Sequence, residues 1–252
     1  MARKARVYSK TGIYHIIIRG IDRQPIFADD LDKEKFLELL ASYTDVCEYQ
    51  VYGYCLLDNH LHLLIKEGTT KIGNMMKRIG VKYVAWYNGK YNRSGQLFHD
   101  RFKSEVVETD DYLLTVLRYI HQEPVRLGIV TEVSKYAYSS YGEYIAKAMI
   151  VNSTYCLNLM GSTTAKANIA FKKYMNEPSD EKCLEADREK MSDEQLGMLI
   201  LRIAGIKTLT ELTELPKVKR NEILLNLKEL NSVSSWQIAR VSGFSQSVVS
   251  RA

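Results

Sequence analysis

The sequence predicts an α+β protein: a split-βαβ antiparallel sheet with helices on one face over residues 1–150, then an all-α region over residues 151–252. Three observations lead there. Up to residue 122 the segments run strand, helix, strand, strand, helix, strand, helix. After residue 150 the strand signals stop and only helical periodicity follows. The composition, 46% hydrophobic and 26% charged, is that of a globular chain and excludes collagen-like, low-complexity and wholly disordered classes.

Each element has its own signal. Residues 13–21 (IYHIIIRGI) form an unbroken isoleucine-rich run, the mark of a buried strand. Residues 29–46 place Leu31, Phe36, Leu39 and Leu40 at helical spacing. Residues 48–57 and 60–65 read as a second and third strand, with Asp58-Asn59 as the hairpin turn between them. Residues 70–91 make a long amphipathic helix, and residues 102–107 a short fourth strand. Asp110-Asp111 open a helix over 112–122, which Pro124 is expected to close. Further helices are expected over 168–175, 193–203, 218–230 and the final stretch. A boundary is expected near 150–165, where Asn152-Ser153 and Gly161-Ser162-Thr163-Thr164 are polar and flexible.

Cys47, Cys55, Cys156 and Cys183 contain no close pair, which argues against a disulfide frame or a cysteine zinc site and fits a reducing cytoplasm. No apolar run approaches the roughly 18 residues of a spanning helix. The basic start, Met1 to Arg6, precedes no apolar segment, so no signal peptide and no membrane partner are expected. The net charge of +5 hides an asymmetry. Residues 1–23 hold six Lys/Arg against Asp22, and residues 71–103 hold eight against Asp100, while residues 29–67 hold nine acids against three bases. Such polarity suits a polyanion partner, although solvated helix faces give the same counts.

Two patterns carry chemistry. His60 and His62 are two apart on a strand, so both imidazoles project to one side. A divalent metal would explain two imidazoles together in an apolar run, and so would two separately hydrogen-bonded histidines. A third oxygen or nitrogen ligand would decide between them. Tyr119 and Glu123 are four apart and share a helix face. A phenol beside a metal and a carboxylate could be a nucleophile, with a packed amphipathic tyrosine as the bland alternative. His121 points about 200° away from Tyr119 and stays outside the candidate site.

Three segments stand in a fixed order: Asp58-Asn59-His60-Leu61-His62-Leu63, then Gly95-Gln96-Leu97-Phe98-His99-Asp100-Arg101-Phe102, then residues 118–128 (RYIHQEPVRLG). Together they resemble the single-tyrosine HUH transposases, most closely the REP-associated tyrosine transposase branch. The resemblance covers about residues 7–145 and includes Tyr138-Ser139-Ser140-Tyr141. It implies a ferredoxin-like sheet of the HUH endonuclease type and a metal-dependent single-stranded DNA endonuclease and strand transferase. It implies His60 and His62 as metal ligands, joined here by Glu123, with Tyr119 as the nucleophile and Mg²⁺ or Mn²⁺ as the cofactor. The implied partners are single-stranded DNA with hairpin or palindromic repeats and, in members that pair two DNA ends, a second copy of the chain. Two residues depart from the family pattern. Glu123 stands where Asn or Gln is usual, a hard ligand that also brings negative charge near an incoming phosphate. Asp58 stands where proline is common.

For DNA contacts, Lys82 and Arg93 interleave with Tyr83, Trp86, Tyr87 and Tyr91, a stacking pattern that core packing would also produce. Arg101 and Lys103 flank Phe102 and are expected on phosphates, and Arg19 and Arg126 complete that set. Near the C-terminus, Ala239, Gly243 and Val249 have the spacing of a helix-turn-helix at about 234–252, which would put Gln246 and Arg251 on the groove face. A helical hairpin for dimerisation has the same pattern. The rival classes are a non-catalytic DNA-binding regulator that keeps the fold, and a hydrolase or metal protein with an unrelated use of the histidine pair.

Overall fold

The computed structural model describes residues 6–179, 183–184, 192–206, 208–229, 233 and 235–251. Residues 1–5 of the basic start, residue 230, and residues 234 and 252 of the expected helix-turn-helix lie outside them. The chain forms two compact units, Met1–Ala186 and Asp187–Ala252. The division lies well beyond the expected 150–165.

The first unit runs β1 (Ile13–Arg19), α1 (Asp30–Ser42), α2 (Thr44–Cys47), β2 (Gln50–Leu57), β3 (His60–Lys66), α3 (Ile72–Lys90), β4 (Lys103–Val106), α4 (Asp110–Arg126), α5 (Tyr141–Ile145), α6 (Ser153–Met160) and α7 (Thr164–Asn176). The four strands pair antiparallel in the order β2-β3-β1-β4, the ferredoxin-like arrangement. The central strands, β1 and β3, are therefore the ones that carry histidines.

Sheet pairing fixes the faces, because directly paired residues share one side. His60 pairs Arg19 and Leu57, His62 pairs Ile17 and Cys55, and Leu64 pairs His15 and Gly53, so all nine line one face. Ile16, Ile18, Leu61 and Leu63 take the other face. That second face is covered by α3, whose Met76 and Gly80 line a groove with Ile18. Helix α1 packs on α3, with the rings of Phe36 and Tyr83 5.3 Å apart. Helix α4 lies over the histidine face instead, against β2 and β3. The expectation of helices on one face is thus corrected. β1 and β3 are buried through all but their last residue, and alternating apolar strands can achieve that only when both faces are covered.

Helix α4 is also longer than expected, continuing through Pro124 to Arg126. An interior proline costs about 3 kcal/mol, chiefly through the lost N–H and the clash with the preceding turn. Here Pro124 is buried in the last turn, with one donor lost, and Gly128 at φ +69° ends the helix behind it. At the other end, the Thr109 hydroxyl accepts from the Tyr112 N–H at 3.2 Å, and Asp110 and Asp111 complement the helix dipole. Helices α6 and α7 belong to this unit because they bury Cys156, Phe171 and Met175 in its core. Phe171 stacks on Tyr144 at 4.5 Å, and the Gln122 amide on α4 donates to the carbonyls of Met175 and Glu177.

The second unit holds α8 (Asp193–Ala204), α9 (Glu211–Glu214), α10 (Lys217–Glu229), α11 (Ser235–Ser242) and α12 (Gln246–Arg251) around Leu196, Ile200, Leu224, Leu227, Ile238 and Val249. Ala239 and Val249 are buried where α11 and α12 meet, and Gly243 takes the turn between them at φ +77°. Among the described residues no helix is long and apolar enough to cross a membrane.

Gly53 sets the spacing between α4 and the sheet, since a Cβ there would stand 2.7 Å from Leu117 Cδ1. Gly53→Val should therefore overpack this layer and lower stability by about 1–3 kcal/mol, read as a lower midpoint in guanidinium unfolding with an unchanged slope.

Candidate metal and nucleophile site

Strand alternation brings His60 and His62 to the α4 face of β3, 8% and 0% exposed. The Asn59 side-chain oxygen lies 2.6 Å from His60 Nδ1 and accepts its proton. His62 Nδ1 lies 3.0 Å from Nε2 of His15. The remaining nitrogens, His60 Nε2 and His62 Nε2, are buried with no hydrogen-bond partner among the described residues. Glu123 on α4 reaches the same place, its Oε1 lying 3.7 Å from His60 Nε2. The ligand atoms of His60, His62 and Glu123 all lie within 4.8 Å of one another. A buried polar atom without a partner costs roughly 1–3 kcal/mol, so two aimed at one carboxylate call for a ligand. Two imidazoles and a carboxylate form a donor set suited to a divalent cation.

Burial keeps these imidazoles neutral. It pushes His60 down to about 4, and it holds His62 well below the ordinary value, helped by the neighbouring His15, His60 and Arg126 charges. His15 is also lowered by burial, against the opposing pull of Glu105.

Tyr119 stands beside this cluster, 5% exposed, its ring 5.9 Å from that of His62 and 6.0 Å from that of His15. The Arg126 guanidinium lies 3.6 Å from the Tyr119 ring centroid and pairs with the Glu123 carboxylate. Arg126, expected on DNA phosphate, thus packs onto the candidate nucleophile and the third ligand. His121 is elsewhere, bonded to Ser140 Oγ at 2.7 Å, as expected from its azimuth.

The other expected DNA contacts divide. Arg19 and Lys103 lie on the histidine face, paired with His60 and Ile17 respectively. Arg101 lines the groove beside α3 on the opposite side of the sheet, and Lys82 sits over the Tyr43 ring at 5.7 Å. Arg93 donates to the Gln96 carbonyl at 3.1 Å. Of the two readings of the aromatic helix, Tyr83 takes the core one. It is fully buried among Phe27, Phe36 and Phe98, and its hydroxyl bonds the Ile26 carbonyl. Tyr87 is likewise buried, while Trp86 and Tyr91 are partly exposed. Gln246 is half-buried and Arg251 exposed on α12 in the second unit. Sequence reasoning missed His15 and Glu105, which reach the site only through the pairing of β1 with β3 and β4.

Residues 8–123 match the family model described as "Transposase IS200 like". A Haemophilus influenzae protein assigned as a REP-associated tyrosine transposase is 27% identical over 157 residues, which cover 56% of this chain and 86% of that protein. A solved structure of a REP-associated tyrosine transposase bound to a REP hairpin superposes with a TM-score of 0.50 at 18% identity, over 58% of this chain and 87% of that one. At that identity the likeness concerns the fold alone.

The buried imidazoles predict a pH effect. His15, His60, His62 and His121 are all depressed, so each contributes stability that is complete above the ordinary histidine value near 6.5. As pH falls from there towards the depressed values, the unfolded chain takes up protons that the folded chain refuses. Guanidinium midpoints of the metal-free protein should drop steadily between pH 7 and pH 4.5, and a flat profile would contradict the neutral, buried assignment.

Proposed function

We propose that this chain is a metal-dependent single-stranded DNA endonuclease and strand transferase, acting on hairpin-bearing DNA through a 5′-phosphotyrosine. The supporting observation is the convergence of His60, His62 and Glu123 beside the Tyr119 ring within one transposase domain. His60 and His62 would hold Mg²⁺ or Mn²⁺ through their Nε2 atoms, with Glu123 as the third ligand. The bound ion supplies charge neutralisation for the non-bridging phosphate oxygens.

Tyr119 Oη is the nucleophile. It loses its proton, bonds to phosphorus, and displaces the 3′-oxygen, which leaves as a hydroxyl after taking up a proton. The phosphodiester energy is kept in the tyrosine link, so a second 3′-hydroxyl reverses the step without ATP. Arg126, stacked on the phenol ring, keeps positive charge beside the oxygen as negative charge develops on it. Arg19 and Lys103 place positive charge on the same face, where the strand would approach. The hairpin preference is carried over from the solved relative, which was bound to one. The pair α11 and α12 is assigned to a helix-turn-helix contact with DNA, through Gln246 and Arg251.

The test is incubation with a 3′-labelled hairpin oligonucleotide and Mn²⁺, followed by a denaturing gel. A labelled protein–DNA band is expected. It should vanish with EDTA and in Tyr119→Phe, while Tyr119→Phe still binds the DNA. An adduct surviving in Tyr119→Phe would reassign the nucleophile, and binding without cleavage under every divalent ion would favour the regulator. In the same assay Lys103→Ala should weaken binding and flatten the salt dependence by about 0.7 in log–log slope.

A further inference from the structure

We propose that His15, backed by Glu105, is a positioning residue that fixes which nitrogen of His62 carries the proton, and so leaves His62 Nε2 free to take a metal. The proposal rests on the reading of His60, His62 and Glu123 as a metal site.

The geometry is a row of three groups across the sheet. Glu105 on β4 is the direct pairing partner of His15 on β1, and His15 is the diagonal neighbour of His62 on β3. Glu105 Oε2 lies 3.7 Å from His15 Nδ1, and His15 Nε2 lies 3.0 Å from His62 Nδ1. The two imidazoles lie end to end, with centroids 5.2 Å apart and planes within 23° of each other, which suits an in-plane N–H···N bond. Both are completely buried, so no solvent competes for these nitrogens.

A neutral imidazole has one N–H, and only two proton arrangements satisfy the His15–His62 contact. In the first, His15 Nε2–H donates to His62 Nδ1. That puts the His62 proton on Nε2, where it blocks a metal, and turns the bare Nδ1 of His15 towards a carboxylate. In the second, His62 Nδ1–H donates to His15 Nε2, and His15 Nδ1–H faces Glu105. Only the second sets an N–H rather than a lone pair against the Glu105 charge, so the carboxylate selects it. His60 needs no such device, because the Asn59 side-chain oxygen already takes its Nδ1–H. The two candidate ligands are thus oriented by different acceptors, Asn59 from the hairpin turn and His15 from the neighbouring central strand. Glu105 is itself anchored, accepting the Leu184 backbone N–H at 3.0 Å.

The decisive measurement is the long-range ¹H–¹⁵N spectrum of the metal-free wild-type protein near neutral pH. His62 should appear as the Nδ1–H tautomer, and an Nε2–H tautomer overturns the proposal whatever the metal does. Two variants extend the test, with Mn²⁺ affinity read by electron paramagnetic resonance. His15→Leu removes the acceptor and should shift His62 away from Nδ1–H and weaken Mn²⁺ binding about 10–100-fold. His15→Gln restores an acceptor oxygen and should recover most of that loss. Equal affinity of His15→Leu and wild type, or equal weakness of both variants, would reduce His15 to packing. Should His15→Leu fail to fold, the wild-type spectrum still decides. Wild-type protein that binds no Mn²⁺ defeats the metal reading, whereas the tautomer assignment is judged separately by the spectrum.

Discussion

The first unit is organised around one unfavourable arrangement: two imidazole nitrogens buried side by side with no hydrogen-bond partner among the described residues. Everything nearby sustains it. Central strands keep both rings out of water, and desolvation keeps them neutral and open to a cation. Helix α4 closes over them and brings the carboxylate of Glu123 and the ring of Tyr119 to the same place. A sheet covered on one face only could not do this, because the histidine face would be wet.

Precision comes from the layers beyond the site. The bare backbone of Gly53 lets α4 approach the sheet, with Leu117 filling the space a side chain would take. Gln122 ties α4 to the end of α7, and Arg118 stacks on Tyr174 of α7 at 4.1 Å. Helix α7 is therefore a brace for the helix that bears the tyrosine, which explains why the first unit extends so far past the last strand.

Much of this was legible in the sequence, and the failures share a cause. The period of two in the His60–His62 strand and the i,i+4 spacing of Tyr119 and Glu123 are local rules, and both pairs meet as those rules require. His15 and Glu105 were invisible because strand register is a long-range property, and one slipped residue would have turned His15 to the other face. Arg126 sits seven residues beyond Tyr119, so helical geometry could have paired them, yet its charge pointed first to phosphate. Tyr83 shows the limit of periodicity, which marks an apolar helix face without saying whether bases or other side chains cover it. The proline rule failed at Pro124 because tertiary burial outweighed a local preference, and the Gly/Ser/Thr-rich stretch at the expected boundary is a capped entry into α7, with the Thr163 hydroxyl accepting from the Lys166 N–H.

The pairing of Glu123 with Arg126 has a consequence for charge balance. An amide at position 123 would leave the guanidinium as an unopposed cation beside the neutral imidazoles. The acid and the base oppose each other instead, so under the proposed reading a metal ion would enter a site whose paired side chains carry little net charge. Residues 123 and 126 then behave as one electrostatic unit, and a change at either one disturbs the neutrality that the other maintains.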